Sequence, residues 1–369
     1  MKEVCRPIKG VRLIIAGGGT GGHLFPGIAV AEEVSRRFRD SEILFITGRR
    51  RMESRILSRE GFRQSSIAIE GLKGRGWRGM LGTIMKLPKS FFQSVSIMKG
   101  FSPDVVLGVG GYSSGPVCLA ARVMGIPSAI HEQNSFPGLT NRILCRIVDR
   151  VFISFEDSRR HFSGGRIFLT GNPVREELVG ERAIDGEDQK GFTVLVVGGS
   201  QGARAVNSAF LAALEVLRAR GRVPRVIHQT GEADYERVLK GYLELGVQGD
   251  VTPFIMDMGS AYRRADLVVS RAGATTISEL AALGKPSILV PYPHAANRHQ
   301  ETNAQMLARV GGARVILEDG LSGEKLADLL TEYMSNREDL AEMGRLAKGV
   351  GRPDATRVIV DFLLEMTKE

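Results

Sequence analysis

One repeated pattern constrains this chain more than any other feature. A short run of Val, Leu and Ile stops at glycine and passes into a helical pattern. Residues 11–16 run into Gly17-Gly18-Gly19-Thr20-Gly21-Gly22-His23, and a helix is expected over about 26–38. Strands are expected at 43–47, 105–109, 128–131 and 151–154, with 105–109 ending in Gly110-Gly111-Tyr112. After a polar stretch the pattern restarts. Residues 193–197 lead into Gly198-Gly199-Ser200-Gln201-Gly202, a helix over about 207–218, and strands near 226–228, 267–270 and 287–290. Short buried strands alternating with helices specify parallel α/β sheets. The expected fold is α/β: two doubly wound, Rossmann-like parallel-sheet domains facing a cleft. The expected divisions are a first domain over 1–172, a linker over 173–190 and a second domain over 191–352.

The chain has 369 residues, enough for two domains with full cores. At 43% hydrophobic and 25% charged it is not a disordered chain. Lys and Arg number 50 against 41 Asp and Glu, a net charge of +9 that points to an anionic partner. Nucleic acid ranks low, because no helix-turn-helix, finger or RNA-binding aromatic pattern is present. Cys5, Cys118 and Cys145 have neither metal spacing nor a disulfide framework, which fits a reducing cytosol. The apolar run behind the basic amino terminus covers only 13–16, too short for a signal peptide. The longest uncharged stretch, 105–121, is broken by Gly and Pro, so no membrane span is expected. Any membrane contact is then peripheral, from the cytoplasmic face.

The first glycine loop matches G-x-G-x-x-G, a weak signal in so glycine-rich a run. A dinucleotide site also wants an acid after the second strand, and here that strand ends Thr47-Gly48-Arg49-Arg50. An NADP-dependent oxidoreductase, with Arg on the 2′-phosphate, stays open as an alternative. The loop has no Walker Lys-Ser/Thr. More generally, backbone N–H groups where a glycine turn opens a helix favour a phosphate. Two matched loops favour a phosphate-bearing ligand, with Ser200 adding a hydroxyl. His23 sits where the helix begins. The positive end of a helix disfavours imidazolium, and a neutral imidazole can accept a proton from a hydroxyl nucleophile. A packing histidine is the plainer reading.

The ordered motifs carry more. Gly18-Gly19-Thr20-Gly21-Gly22-His23 precedes Phe25-Pro26-Gly27, then Gly110-Gly111-Tyr112, Ser114-Gly115-Pro116, His131-Glu132-Gln133-Asn134 and Gly171-Asn172-Pro173-Val174-Arg175. Gly198-Gly199-Ser200-Gln201-Gly202-Ala203, Gly273-Ala274, Ser278-Glu279, His299-Gln300 and Asn303-Ala304 follow. The set spans nearly the whole chain and resembles the MurG family of peptidoglycan glycosyltransferases. That resemblance implies a GT-B fold, with a carboxyl-terminal helix over 353–369 packing back on the first domain. It implies transfer of N-acetylglucosamine from UDP-GlcNAc to the C4 hydroxyl of MurNAc in lipid I, with inversion, giving lipid II and UDP for cell-wall synthesis. The implied donor residues are Thr20, Gly21, Gly22, Asn134, Arg175, Ser200, Ile255 (through its backbone, on uracil), Ala274, Thr275, Thr276, Ile277, Ser278, Glu279 (on the ribose), and His299 or Gln300 on the sugar. His23 is the candidate general base. No D-x-D sequence occurs and no metal site or tightly bound cofactor is implied, although a loosely held Mg²⁺ is compatible. A non-catalytic nucleotide-sugar sensor of the same fold is the other alternative.

Residues 72–87 form a basic, apolar stretch with no acid between Leu72 and Ser102. Leu72, Trp77, Leu81 and Ile84 alternate with Lys73, Arg75 and Arg78. Such a face suits anionic lipid, where each cation is worth about 1 kcal/mol. The plainer reading is a helix packed on its own domain, expected for much of 84–98. With Tyr112 these residues form the expected acceptor and membrane patch. The expected partners are UDP-GlcNAc, lipid I, an anionic membrane surface and other cell-wall synthesis proteins, with no nucleic acid.

Overall fold

The structure, a computed structural model, describes residues 10–18, 21–48, 51–69, 77–164, 166–179, 191–199 and 202–368, the side chains of 51, 52 and 77–86 excepted. It divides into two compact units, Met1–Arg175 with Asp354–Glu369, and Glu176–Pro353.

Among the described residues the first unit has seven strands: β1 (Arg12–Ala16), β2 (Glu42–Thr47), β3 (Arg63–Ser66), β4 (Val105–Gly108), β5 (Ser128–Glu132), β6 (Arg150–Ile153) and β7 (Arg166–Leu169). The second has six: β8 (Thr193–Val197), β9 (Arg225–Gln229), β10 (Asp250–Thr252), β11 (Leu267–Ser270), β12 (Ser287–Leu289) and β13 (Arg314–Val315). All neighbouring strands are parallel, in the orders β3-β2-β1-β4-β5-β6-β7 and β10-β9-β8-β11-β12-β13. Counted from each unit's own first strand, the second runs 3-2-1-4-5-6, and the first runs the same way with a seventh strand added at its edge. Direction reverses between β1 and β4, and between β8 and β11. At such switch points the connections diverge and leave a crevice at the carboxyl ends of the strands.

The central strands are buried on both faces, which is why they read as unbroken apolar runs. β3, β7, β10 and β13 were not expected. They lie toward or at the sheet edges and are largely exposed or half-buried, so they carry no such run. The first helix also departs from expectation. It spans Gly21–Arg37 and starts inside the glycine loop, with Pro26 in its second turn rather than at its first position. Glycines are poor helix formers, and proline is commonest in the first turn, so the local signal pointed too late.

The last helix, Ala355–Met366, belongs to the first unit. Its Ile359, Val360, Leu363 and Met366 share a core with Leu13, Ile15, Leu24 and Ile28. Phe362 stacks on Phe152, and Arg37 pairs with Asp361 at 2.6 Å. The stretch expected as linker is partly built into the two units. Thr356 Oγ1 donates to the Val174 carbonyl at 2.9 Å, and Glu176–Val179 is a short helix packed in the second unit. Residues 180–190 lie outside the described residues. Among the described residues, no helix is long and apolar enough to cross a membrane.

Candidate active site

In the first unit, two glycine loops meet at the switch point. A Cβ on Gly111 would lie 2.2 Å from the Gly18 carbonyl oxygen, and one on Gly17 would strike Val109. Ser114 Oγ donates to the Ala16 carbonyl at 2.7 Å and accepts from Gly110 N–H at 3.1 Å, tying the ends of β1 and β4 together. The helix Gly21–Arg37 therefore opens at the carboxyl end of β1 with Gly21, Gly22 and His23 in its first turn. Thr20 lies outside the described residues. Arg175 comes to the same helix, with its guanidinium 5.3 Å from the Phe25 ring centre.

His23 Nδ1 is 2.9 Å from Gln133 Oε1. Gln133 is buried and donates to the Val109 carbonyl at 2.8 Å. Beside it, burial pushes His131 down to about 4, so that ring is neutral at ordinary pH. Glu132, also buried, accepts from Asn134 N–H at 3.0 Å, Gly138 N–H at 3.1 Å and Asn141 Nδ2 at 2.8 Å. Asn134 Nδ2 reaches the same carboxylate at 3.2 Å. Glu132 thus shapes the loop that carries Asn134. In the sequence, Gln133 and Glu132 stood out only as members of the His131-Glu132-Gln133-Asn134 motif. Their signal was four polar residues in a row where a buried strand ends.

In the second unit, Gly198, Gly199 and Gly202 form the loop after β8. A Cβ on Gly202 would lie 2.2 Å from the Thr230 carbonyl oxygen. Ser200 lies outside the described residues. The helix Ala274–Leu283 starts after β11, across the switch point. Its first-turn N–H groups can receive an anion. Ala274 and Ile277 are buried, and Ile277 N–H donates to the Gly273 carbonyl at 2.9 Å. Ile277 is therefore a packing residue, and Thr275, Thr276 and Ser278 are the half-buried members of that turn. Glu279 accepts from the buried Tyr262 hydroxyl at 2.9 Å, which fixes the carboxylate. Tyr262 was not singled out in the sequence.

Gln229, at the end of β9, was missed as well. Its Nε2 donates to the Gly199 carbonyl at 3.0 Å and its Oε1 accepts from Ile255 N–H at 2.9 Å. One amide thus joins the glycine loop to the Ile255 segment. It also takes up the Ile255 N–H, which leaves the carbonyl as the backbone group of Ile255 for the expected uracil contact. His299 and Gln300 open the helix His299–Arg309. His299 Nδ1 donates to the Ala296 carbonyl at 2.8 Å, and Gln300 Oε1 accepts from Tyr292 N–H at 3.0 Å. The preceding Asn297 and Arg298 are left-handed (φ 53° and 51°), a strained turn of the kind found at binding sites.

A cavity of about 1090 Å³ lies at the opposite end of the second sheet, lined by Thr193, Asp266 and Pro286 at the starts of their strands. Arg263 and Arg264 there close the helix Met258–Arg264, and Lys285 follows the helix Ala274–Leu283. Lys285 Nζ donates to the Ala265 carbonyl at 2.8 Å, so these cations answer helix carboxyl termini. Among the described residues, no group of three or more His, Cys, Asp or Glu side chains is placed to hold a metal ion.

Two Rossmann-like units, each with a glycine loop at its switch point and a helix start for an anion, define the GT-B fold. Residues 13–153 match the glycosyltransferase family 28 N-terminal domain, and residues 193–359 match the family 28 C-terminal domain. The chain belongs to glycosyltransferase family 28. It is 47% identical, over 97% of its length and 99% of the relative's, to a protein of Syntrophus aciditrophicus. That relative is named UDP-N-acetylglucosamine–N-acetylmuramyl-(pentapeptide) pyrophosphoryl-undecaprenol N-acetylglucosamine transferase. A Myxococcus xanthus protein of the same name is 46% identical over 96% of this chain and 93% of its own. The crystal structure of Acinetobacter baumannii MurG superposes with a TM-score of 0.76 at 33% identity, covering 96% of this chain and 99% of that one. The oxidoreductase reading of the first glycine loop falls with this membership.

Proposed function

We propose that this enzyme transfers N-acetylglucosamine from UDP-GlcNAc to the C4 hydroxyl of the MurNAc unit of lipid I, giving lipid II and UDP. The near full-length match to transferases of that name is the observation that carries the reading. The site residues support a chemistry for it. His23 takes the proton of the C4 hydroxyl as its oxygen bonds to C1. The bond from C1 to the diphosphate oxygen breaks, its electron pair leaves with UDP, and the anomeric centre inverts. N–H groups of the 198–202 loop and of the first turn of Ala274–Leu283 stabilise the charge that develops on the diphosphate. Glu279, held by Tyr262, accepts the ribose hydroxyls, and the Ile255 carbonyl addresses the uracil N–H. This arrangement requires no tightly bound metal.

The enzyme works as a peripheral protein on the cytoplasmic face of an anionic membrane, where lipid I is presented. The residues first expected to dock, 72–76, lie outside the described residues, as do the side chains of Trp77, Arg78, Leu81 and Ile84. Tyr112 is half-buried against the core. An exposed apolar surface stands nearby, however. The helix Ser114–Val123 shows Leu119 (43% exposed) and Val123 (67%), and the helix Leu139–Leu144 shows Leu139 and Ile143 (60% each). The two helices pack together, and exposed Arg122 and Arg146 sit among these residues. Apolar area rimmed by cations is complementary to anionic lipid.

The test is transfer of labelled GlcNAc to a lipid I analogue, with UDP release followed in parallel. Binding of UDP-GlcNAc without transfer would favour a sensor. With His23→Ala, kcat should fall about a hundredfold or more while donor binding is kept. A near-normal kcat would remove His23 as the base.

A further inference from the structure

We infer that Gln133 is a positioning residue that holds His23 in the tautomer with its hydrogen on Nδ1, so that Nε2 is the ring atom able to take a proton. The inference rests on the reading of His23 as the base, and it names the atom that acts. It follows from two backbone carbonyls, which only accept hydrogen bonds.

The first is Gly171, whose oxygen lies 3.1 Å from His131 Nε2. That nitrogen therefore carries the hydrogen, and the neutral ring's Nδ1 is left as an acceptor. Gln133 Nε2 lies 3.0 Å from His131 Nδ1 and donates to it. The second carbonyl is Val109, which accepts from the same Gln133 Nε2 at 2.8 Å. Both amide hydrogens are thereby directed. Turning the amide over would set its oxygen against the Val109 carbonyl and the His131 lone pair, two repulsive contacts in a buried site. The Gln133 oxygen therefore faces His23 Nδ1, and at 2.9 Å it accepts the hydrogen there.

Gly110 keeps the space open. A Cβ at that residue, whose φ is +94°, would lie 2.8 Å from His23 Nδ1. Free imidazole favours the other tautomer, with hydrogen on Nε2, which would put an N–H where the base needs a lone pair. Setting the tautomer is thus a catalytic requirement that packing alone does not meet.

The test is long-range ¹H–¹⁵N correlation on the full chain labelled with ¹⁵N-histidine, the His23 signals assigned by their loss in His23→Ala. The unaltered protein should show His23 protonated at Nδ1 and not at Nε2. In Gln133→Met, which keeps the length of the side chain, the signal should move to the Nε2-protonated form. There kcat should fall about a hundredfold, with the donor KM changed by less than about threefold. An Nε2-protonated ring in the unaltered protein would overturn the inference, and that measurement does not depend on the variant folding. A Met variant that keeps both tautomer and kcat would overturn it too. If instead His23→Ala keeps its kcat, the base assignment falls, and the tautomer alone decides whether Gln133 directs the ring.

Discussion

Within each unit, the residues that organise the candidate site residues are buried polar groups with directed hydrogen bonds. Glu132 shapes one loop, Gln133 aims one imidazole, and Gln229 joins two segments of the second unit. Such groups are costly to bury unpartnered and fix geometry once satisfied. Two buried histidines give this a measurable consequence. Burial pushes His131 down to about 4 and His228 down to about 3. Unfolded histidines bind protons from about pH 6.5 downward, and the folded ones do not. Stability is therefore complete above pH 6.5 and falls as the pH drops toward 4, by about 3 kcal/mol for His131 alone. Thermal melts from pH 7.5 to 4.5 should show a falling Tm over that window. A Tm flat down to pH 4.5 would mean that these rings ionise in place.

Among the elements, the terminal helix Ala355–Met366 shows how a late segment completes an early core. Its apolar positions recur at helical spacing, and they need a partner surface to bury against. The partner is the helix Gly21–Arg37, the one that presents His23. Leu363 is 2% exposed within that core. Leu363→Ala should cost about 3 kcal/mol through lost burial and the cavity left behind. Denaturant unfolding of the first unit should shift accordingly. A shift below about 0.5 kcal/mol, the level of a surface substitution, would show that the helix is not part of this core.

On the scale of the whole molecule, the net charge of +9 and the exposed apolar helices suit one role. The protein should sediment with vesicles containing phosphatidylglycerol at low salt and be released as salt rises. Ile143→Glu should weaken that binding about tenfold, since burying one such side chain is worth about 1.5–3 kcal/mol. Equal binding to uncharged vesicles, or an unaffected variant, would rule out docking through this face.

The sequence by itself determined the two sheets, because their central strands are buried on both sides and must be apolar throughout. It also placed the glycine loops, since a chain that turns tightly from strand to helix against a neighbouring backbone leaves no room for a Cβ. It located His23 through its place beside such a loop. The outer strands β3, β7, β10 and β13 were decided by tertiary structure, because a half-exposed strand needs only a neighbour to pair with and leaves no apolar run. The start of the first helix within Gly21-Gly22 was decided the same way, against local propensity. So were the partners of the site residues: Gln133 lies 110 positions from His23, and Tyr262 meets Glu279 from another helix. Hydrogen bonds of that kind have no period and no spacing rule. They exist only once the fold has brought their two ends to one place.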